Sequence, residues 1–215
     1  MTFVQKENTF VAGCSPPVNC GSLRKRLWLT HKDLKEMISA VGFFQAAVIP
    51  PNTKNALMVA PITPPPYLIE VHVGNQRLQL FQKNRMIRDW SCSTSKFGVG
   101  FQEGSQKTPL GRFVVRERHG EGAEIGTIFR SRKPVGIWRP GMETQSDLVL
   151  TRILWLHGLD PINANTWQRY IYIHGTNDED AIGRPASHGC IRLRNQDMIE
   201  LFDLTPEGTA VWIQE

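Results

Sequence analysis

The segment RYIYIHGTNDEDAIGRPASHGCIR, residues 169–192, holds the pattern that decides how this part of the chain folds. Its first six residues alternate as in a strand, with Ile171 and Ile173 on one side and Tyr170, Tyr172 and His174 on the other. Residues 177–186 are polar and contain glycine and proline, which is typical of a loop. Gly189 permits a tight turn before Cys190. We therefore predict a strand over 169–174 that ends at His174, off the core-facing row, then a loop and a turn that positions the cysteine.

Cys190 is a candidate nucleophile, because a thiol beside an imidazole can be converted to the reactive thiolate. His174 is the better candidate for the base, since His188 stands only two residues before the cysteine and is badly placed to approach the sulfur. The turn is expected to leave the amides of Gly189 and Cys190 free to stabilise an oxyanion. No acidic residue stands where it would orient the imidazole, so the backbone carbonyl of Gly175 is the candidate for that role.

Two other interpretations of the cysteine are open at this point. A free cysteine is often only a small buried apolar residue. A zinc site would use Cys190 with the two histidines, but a fourth ligand is difficult to name. The acidic run 178–180 is expected to be solvated, and the sequence has no Cys-x-x-Cys pair. The residues alone leave these interpretations open, and no cofactor is assigned from them.

Outside this segment the apolar period is two, from Tyr67 onward. Strands are predicted at 68–73, 78–81, 86–94, 112–118, 148–156 and 209–214, with turns at Gly74-Asn75 and Lys83-Asn84. Residues 97–111, 119–122 and 131–142 are predicted to be loops. One short helix is predicted after Asn195, with Met198, Ile199 and Phe202 on its apolar stripe. Many strands and one helix predict a mainly β fold, a β-sandwich or open barrel.

Residues 1–66 differ in character from the rest. A short helix is predicted from Thr30, and four of the six residues 61–66 are proline, which indicates a stiff linker. We expect a loosely ordered N-terminal arm over 1–66 and a catalytic domain over 67–215. The net charge of +5 is spread along the chain, which argues against a nucleic-acid partner. Four cysteines are too few for a disulfide framework. Neither a signal peptide nor a transmembrane span is predicted.

Two motifs resemble those of L,D-transpeptidase catalytic domains of the YkuD type. The first is Ile173-His174-Gly175-Thr176, and the second runs from Ser187 through His188-Gly189-Cys190-Ile191-Arg192 to Asn195. The segment Lys107-Thr108-Pro109-Leu110-Gly111 is also similar to a Thr-Pro-x-Gly segment of that family. The likeness extends from about Tyr67 to Ile213 and implies a mostly β sandwich.

The resemblance implies that Cys190 is acylated and that His174 is its base, oriented by the carbonyl of Gly175. The amides of His188, Gly189 and Cys190 would form the oxyanion hole, and Ser187 and Arg192 would support the turn and the donor pocket. The implied substrates are peptidoglycan stem peptides, cleaved after the diamino acid without a metal, and carbapenem-type inhibitors would acylate the same thiol. Hydrolysis of the same peptides and non-catalytic binding of peptidoglycan are the alternatives. The family implies the bacterial envelope or periplasm, although the absence of a visible signal leaves the cytoplasm open.

Overall fold

The computed structural model describes residues 67–144 and 146–215, so the predicted arm, its helix and its linker at 1–66 lie outside the described residues. The described part contains ten strands and one α-helix. They are β1 Tyr67–His72, β2 Arg77–Gln82, β3 Arg85–Ser91, β4 Gly111–His119, β5 Thr127–Arg130, β6 Lys133–Ile137, β7 Val149–Gly158, β8 Tyr172–Gly175, β9 Ile191–Leu193, α1 Asn195–Leu204 and β10 Ala210–Gln214.

The strands form one mixed sheet in the order β3-β2-β1-β10-β4-β7-β5-β6, to which β8 and β9 are added beside β7. The β1–β10 and β8–β9 pairs are parallel. Strand β7 pairs with β4, β5 and β8, because it is ten residues long and its register shifts between Leu150 and Ile153. This branch places β8 and β9 side by side, with His174 paired with Arg192 and Gly175 with Leu193.

The main core lies between the sheet and α1. It includes fully buried side chains from seven of the strands and from the helix, namely Ile69, Leu78, Phe113, Leu156, Ile173, Ile191, Phe202 and Ile213. Fully burying one such side chain contributes roughly 2 kcal/mol. Ile173 and Ile191 anchor β8 and β9 in this core through one face, which leaves the opposite face for other contacts.

The mainly β fold with one α-helix after Cys190 is confirmed in the described part of the chain. The turn at Lys83-Asn84 is confirmed as well, and both residues have positive φ, as a two-residue hairpin turn requires. Strand β8 begins later than predicted, at Tyr172, because the backbone at Tyr170 has a positive φ of 55°.

The prediction of a loop over 131–142 is wrong for Lys133–Ile137, which forms β6 and pairs with β5. Every residue of β6 is exposed, and the strand contains Pro134 and Gly136. Its sequence therefore lacks the alternation of apolar and polar residues by which a strand is predicted. His119 likewise belongs to β4 rather than to a loop.

Helix α1 buries Met198, Leu201 and Phe202, whereas Ile199, predicted for this stripe, is only partly buried. Asn195 is the first helical residue rather than the residue before it. Its amide donates to Glu179 Oε1 at 2.7 Å, so a carboxylate from another segment satisfies the start of the helix. No helix in residues 67–144 and 146–215 has the length and apolar character to cross a bilayer.

Candidate active site

The turn before Cys190 is held by its own side chains and by the segment that contains Thr108. Ser187 Oγ donates to the Cys190 carbonyl at 2.6 Å, and Thr108 Oγ1 donates to the Gly189 carbonyl at 3.0 Å. Gly189 has a φ of +124°, which a residue with a side chain rarely adopts. The turn therefore needs glycine at this position, and it needs the hydroxyl groups of Ser187 and Thr108 to satisfy its carbonyls.

The amides of the turn are only partly as expected. The Gly189 amide, expected to be free, donates to Ser187 Oγ at 3.3 Å. Among the described residues, the amides of His188 and Cys190 donate to no acceptor. These two N–H groups are therefore the ones available to a developing oxyanion.

Cys190 is partly exposed and lies against a second, smaller core cluster that contains Tyr172. Its Sγ accepts from the Tyr172 amide at 3.4 Å and donates to the Tyr170 carbonyl at 3.4 Å. Burial of the sulfur raises the pKa of Cys190 to about 12, and the hydrogen bond from the Tyr172 amide opposes this only in part. The resting group is therefore a thiol at neutral pH.

His174 lies on β8 and is 3% exposed. Its Nδ1 lies 2.7 Å from the Gly175 carbonyl oxygen, which can only accept, so Nδ1 bears the proton and Nε2 has a free lone pair. Burial lowers the pKa of His174 below its ordinary value, although the hydrogen bond to Gly175 opposes the change. The imidazole is therefore neutral at neutral pH and can accept a proton.

Cys190 and His174 belong to the same face of the β8–β9 pair. His174 is paired with Arg192 in the parallel register, and Cys190 precedes Arg192 by one strand period. In the part of the chain that the structure describes, the Cys190 sulfur bonds to the backbone of Tyr170 and Tyr172 and not to the imidazole. Transfer of the thiol proton to His174 therefore needs a rearrangement of one or both side chains.

The position of Gly175 is tightly enclosed. A Cβ at this position would overlap Asn195 Oδ1 and would lie 3.0 Å from the Leu150 carbonyl oxygen. Neighbouring Thr151 has a φ of 71°, which is rare for a β-branched residue, and its hydroxyl donates to Asn195 Oδ1 at 2.5 Å. Asn195 Nδ2 donates to the Thr176 carbonyl at 2.7 Å. Asn195 and Thr151 thus support the peptide that accepts from His174.

Arg192 is buried, with 1% of its surface exposed. Its guanidinium donates to Asp147 Oδ1 at 3.0 Å and to Ser93 Oγ at 3.1 Å, and lies 3.5 Å from Asp178. Asp147 also lies 3.3 Å from Nδ1 of His188, whose ring is exposed. Burial opposes ionisation of Asp147, but Arg192 and His188 outweigh it and lower the pKa of this carboxyl group.

The structure places the predicted residues on two neighbouring segments. Ser187, His188, Gly189 and Cys190 form the turn, and His174 and Gly175 end the neighbouring strand. Arg192 is paired with His174 in the strand register and bonds to Asp147. Sequence reasoning missed Asp147, Thr151 and the packing role of Asn195. Asp147 stands in a loop between two strands, and only the presence of a buried arginine indicates that such a carboxylate is required.

An aromatic platform, defined here as Trp155, Trp167, Tyr170 and Tyr172, adjoins the cysteine. Trp155 stacks on Trp167 with ring centroids 3.4 Å apart, and the Trp155 ring lies 5.6 Å from both tyrosine rings. Arg132, in the turn between β5 and β6, lies over Trp155 at 4.3 Å. The platform gives the site a broad, mostly apolar wall beside the sulfur.

A cleft of about 450 Å³ lies beside the site rather than over the sulfur. Trp138, Arg139, Asn177, Glu179 and Asn195 are among its lining residues, and Cys190 and His174 are not. Glu179 and Asn195 are hydrogen-bonded to each other, so this side of the cleft is formed by residues that hold the end of β8 in place. In residues 67–144 and 146–215, no three His, Cys, Asp or Glu side chains are grouped as a metal would require.

Comparison with known proteins gives a consistent set of similarities. A family model for the L,D-transpeptidase catalytic domain matches residues 66–213. "Putative L,D-transpeptidase YkuD" of Bacillus subtilis is 28% identical over 165 residues, which cover 75% of this chain and 76% of that protein. The protein of the same name from Bacillus licheniformis is 26% identical over 149 residues. The match covers 69% of this chain and 66%, about two thirds, of that relative.

Among solved structures, the chain is similar to L,D-transpeptidase 3 from Mycobacterium tuberculosis in complex with a faropenem-derived adduct. The two are 17% identical with a TM-score of 0.46, and the match covers 70% of this chain and 61% of that chain.

Proposed function

The chain belongs to the family of L,D-transpeptidase catalytic domains, and from this premise we propose that it is a cysteine acyltransferase acting on peptidoglycan stem peptides. The observation that carries the proposal is the arrangement on β8 and β9. A neutral imidazole, fixed by the Gly175 carbonyl, lies on the same face as a partly exposed thiol, and the thiol follows a turn with two unbonded amides. An acyl transfer needs a base, a nucleophile and an oxyanion site, and these residues supply each of them.

In the first half-reaction, the Cys190 sulfur attacks the carbonyl carbon of the diamino acid while its proton passes to Nε2 of His174. The new C–S bond places negative charge on the carbonyl oxygen, which accepts from the amides of His188 and Cys190. When the C–N bond breaks, His174 returns the proton to the departing amine. A thioester on Cys190 and a released C-terminal residue are the products.

In the second half-reaction, an acceptor amine attacks the thioester carbon and gives its proton to His174. The C–S bond breaks, a new amide bond forms, and Cys190 recovers a proton from His174. If water attacks in place of the amine, the same steps give an L,D-carboxypeptidase. The platform of Trp155, Trp167, Tyr170 and Tyr172 favours transfer, because an apolar wall beside the sulfur disfavours water there. The proposal places the activity in the bacterial envelope, where the substrate lies.

Acylation of Cys190 is tested by intact-protein mass after exposure to a carbapenem. The wild type should gain one adduct, which peptide mapping should locate on Cys190, and Cys190→Ala should gain none. Cys92 is a matched internal control, because it is fully buried in the main core and burial raises its pKa to about 12 as well. Cys92→Ser should therefore still gain the adduct. An adduct that persists in Cys190→Ala would contradict the assignment of the nucleophile.

Transfer and hydrolysis are distinguished by muropeptide products of the purified protein. New cross-links between stem peptides support transfer, whereas stems that are only shortened by one residue support the carboxypeptidase.

A further inference from the structure

Arg132 occupies a costly backbone position at the tip of the β5–β6 hairpin. The hairpin turns through Ser131 and Arg132 alone, with φ of 48° and 65°. Two-residue turns of this kind favour Asn and Gly, because other residues are strained at positive φ. A serine and an arginine here are unfavourable for the hairpin itself, so the presence of an arginine at this position needs an explanation other than the turn.

The guanidinium of Arg132 lies over the aromatic platform. Its guanidinium carbon is 4.3 Å from the ring centre of Trp155 and 5.5 Å from that of Tyr170, and Nη1 donates to the Tyr172 hydroxyl at 3.3 Å. Among the described residues, no carboxylate forms an ion pair with Arg132. A guanidinium has five N–H donors, so most of those on Arg132 remain available to a ligand.

The two other arginines near Cys190 each make at least two hydrogen bonds. Arg192 is buried against Asp147 and Ser93. Arg169 donates to the Gly100 and Lys107 carbonyls, at 3.1 and 2.6 Å. Arg132, which makes one hydrogen bond in the part of the chain that the structure describes, therefore has the most donors to spare of the three.

Tyr172 links Arg132 to the reacting sulfur. Its amide donates to Cys190 Sγ at 3.4 Å, and its hydroxyl accepts from Arg132 at 3.3 Å, so the cation and the sulfur lie at opposite ends of one residue. When the bond after the diamino acid is cleaved, the departing residue carries the C-terminal carboxylate. That carboxylate lies one residue, about 3.5 Å of extended chain, beyond the carbonyl that the sulfur attacks.

We propose that Arg132 binds the C-terminal carboxylate of the donor peptide and so selects peptides that end one residue after the cleaved bond. The inference rests on the proposed acyltransferase function. A guanidinium stacked on aromatic rings is oriented and can form two parallel hydrogen bonds with a carboxylate. The strained turn is explained by the need to hold the guanidinium over the platform.

The test uses two synthetic stem tetrapeptides that differ only at the C-terminus, one with a free carboxylate and one with a carboxamide. The rate of release of the last residue is measured by mass spectrometry over a range of peptide concentrations. For the wild type we expect kcat/KM to be about 10- to 100-fold higher for the free acid, the scale of a hydrogen bond to a charged group, mainly through KM. In Arg132→Gln the value for the free acid should fall to that of the carboxamide, whose own value should not change.

Two further variants make the result specific. Arg132→Lys keeps the charge but loses the planar pair of donors, so it should recover only part of the preference. Arg130→Gln removes an exposed arginine two residues earlier on the same hairpin and should behave as the wild type. Melting temperatures of all variants show whether each one is folded.

The outcomes separate this inference from the function on which it rests. If Arg132→Gln slows both peptides equally, the arginine only holds the hairpin in place, and the proposal is overturned. If the variant keeps the full preference for the free acid, the proposal is overturned as well. In both cases adduct formation on Cys190 of the wild type would leave the acyltransferase function standing. A wild type that forms no acyl-enzyme with a carbapenem and cleaves neither peptide would instead refute the function.

Discussion

The protonation states of Cys190 and His174 decide how the nucleophile is activated. Burial raises the pKa of the thiol to about 12 and lowers the pKa of the imidazole below its ordinary value. The resting pair is therefore neutral, not a thiolate beside an imidazolium. Proton transfer to His174 then accompanies attack on the substrate, as in an enzyme with a serine nucleophile.

This neutral pair predicts the pH dependence of Cys190 acylation by a carbapenem. The rate should fall in acid as His174 becomes protonated, with a midpoint below about 6.5, the ordinary pKa of histidine. It should then stay level up to pH 9, since the thiol does not ionise in that range. Stopped-flow or mass measurements between pH 4.5 and 9 would show this, and a rise centred near 8.5, the ordinary thiol pKa, would contradict it.

Two histidine variants serve as controls for the pH profile. His174→Ala should slow acylation by at least about 100-fold, the usual contribution of a general base. The fall of the rate in acid should also disappear in this variant. His188→Ala should keep the fall of the acylation rate in acid, because the His188 ring is exposed and lies beside Asp147. Near-normal rates in His174→Ala would assign the role of base to another group.

At the scale of secondary-structure elements, the start of α1 and the irregularity in β7 fix the end of β8. Asn195, from the helix, donates to the Thr176 carbonyl and accepts from the Thr151 hydroxyl, while its amide donates to Glu179. The carbonyl of Gly175, on which His174 depends, lies within this group of contacts. Helix, bulge and strand therefore act together in orienting one imidazole.

We expect Asn195→Ala to lower the free energy of unfolding by about 2 to 3 kcal/mol, because it leaves buried polar groups of Thr151 and Thr176 without a partner. Acylation of Cys190 should slow as well, since the Gly175 peptide loses its support. Urea denaturation and the carbapenem assay measure the two effects.

Gln196→Ala is the matched control, because Gln196 is exposed in the same turn of α1. It should change the free energy of unfolding by less than about 0.5 kcal/mol. An equal loss of stability in the two variants would show that the loss comes from a change in the helix and not from the side-chain contacts of Asn195.

At the scale of the whole molecule, the features that follow from local pattern could be predicted, and those that follow from distant contacts could not. The strands with alternating buried residues, such as Val211 and Ile213 of β10, follow from their period, as does the turn that needs Gly189. Strand β6 has no such period, because all of its residues are exposed and neither of its faces is buried. Backbone pairing with β5 holds it in the sheet. Asp147 is 45 residues from Arg192 in sequence, and no local rule joins them.

The Arg192–Asp147 pair joins distant segments of the chain and predicts a large, pH-dependent effect on stability. Asp147→Asn would leave a guanidinium that is 1% exposed without its nearest anion, so the free energy of unfolding at pH 7 should fall by about 3 kcal/mol. Urea denaturation between pH 2.5 and 7 measures this loss.

The sign of the pH dependence follows from the lowered pKa of Asp147. A carboxyl group with a lower pKa in the folded than in the unfolded state stabilises the fold above its ordinary pKa, and this stabilisation disappears as the pH falls through the lowered value. The difference in free energy of unfolding between the wild type and Asp147→Asn should thus have its full value at pH 7. It should disappear only when the pH falls below the ordinary pKa range of aspartate. Asp89→Asn is the control, because the Arg77–Asp89 pair, at 2.9 Å, is one-third exposed and should contribute at most about 1 kcal/mol. Equal losses in the two variants would mean that Arg192 does not depend on Asp147 for its charge balance, and Asp178, 3.5 Å away, would then be the partner to test.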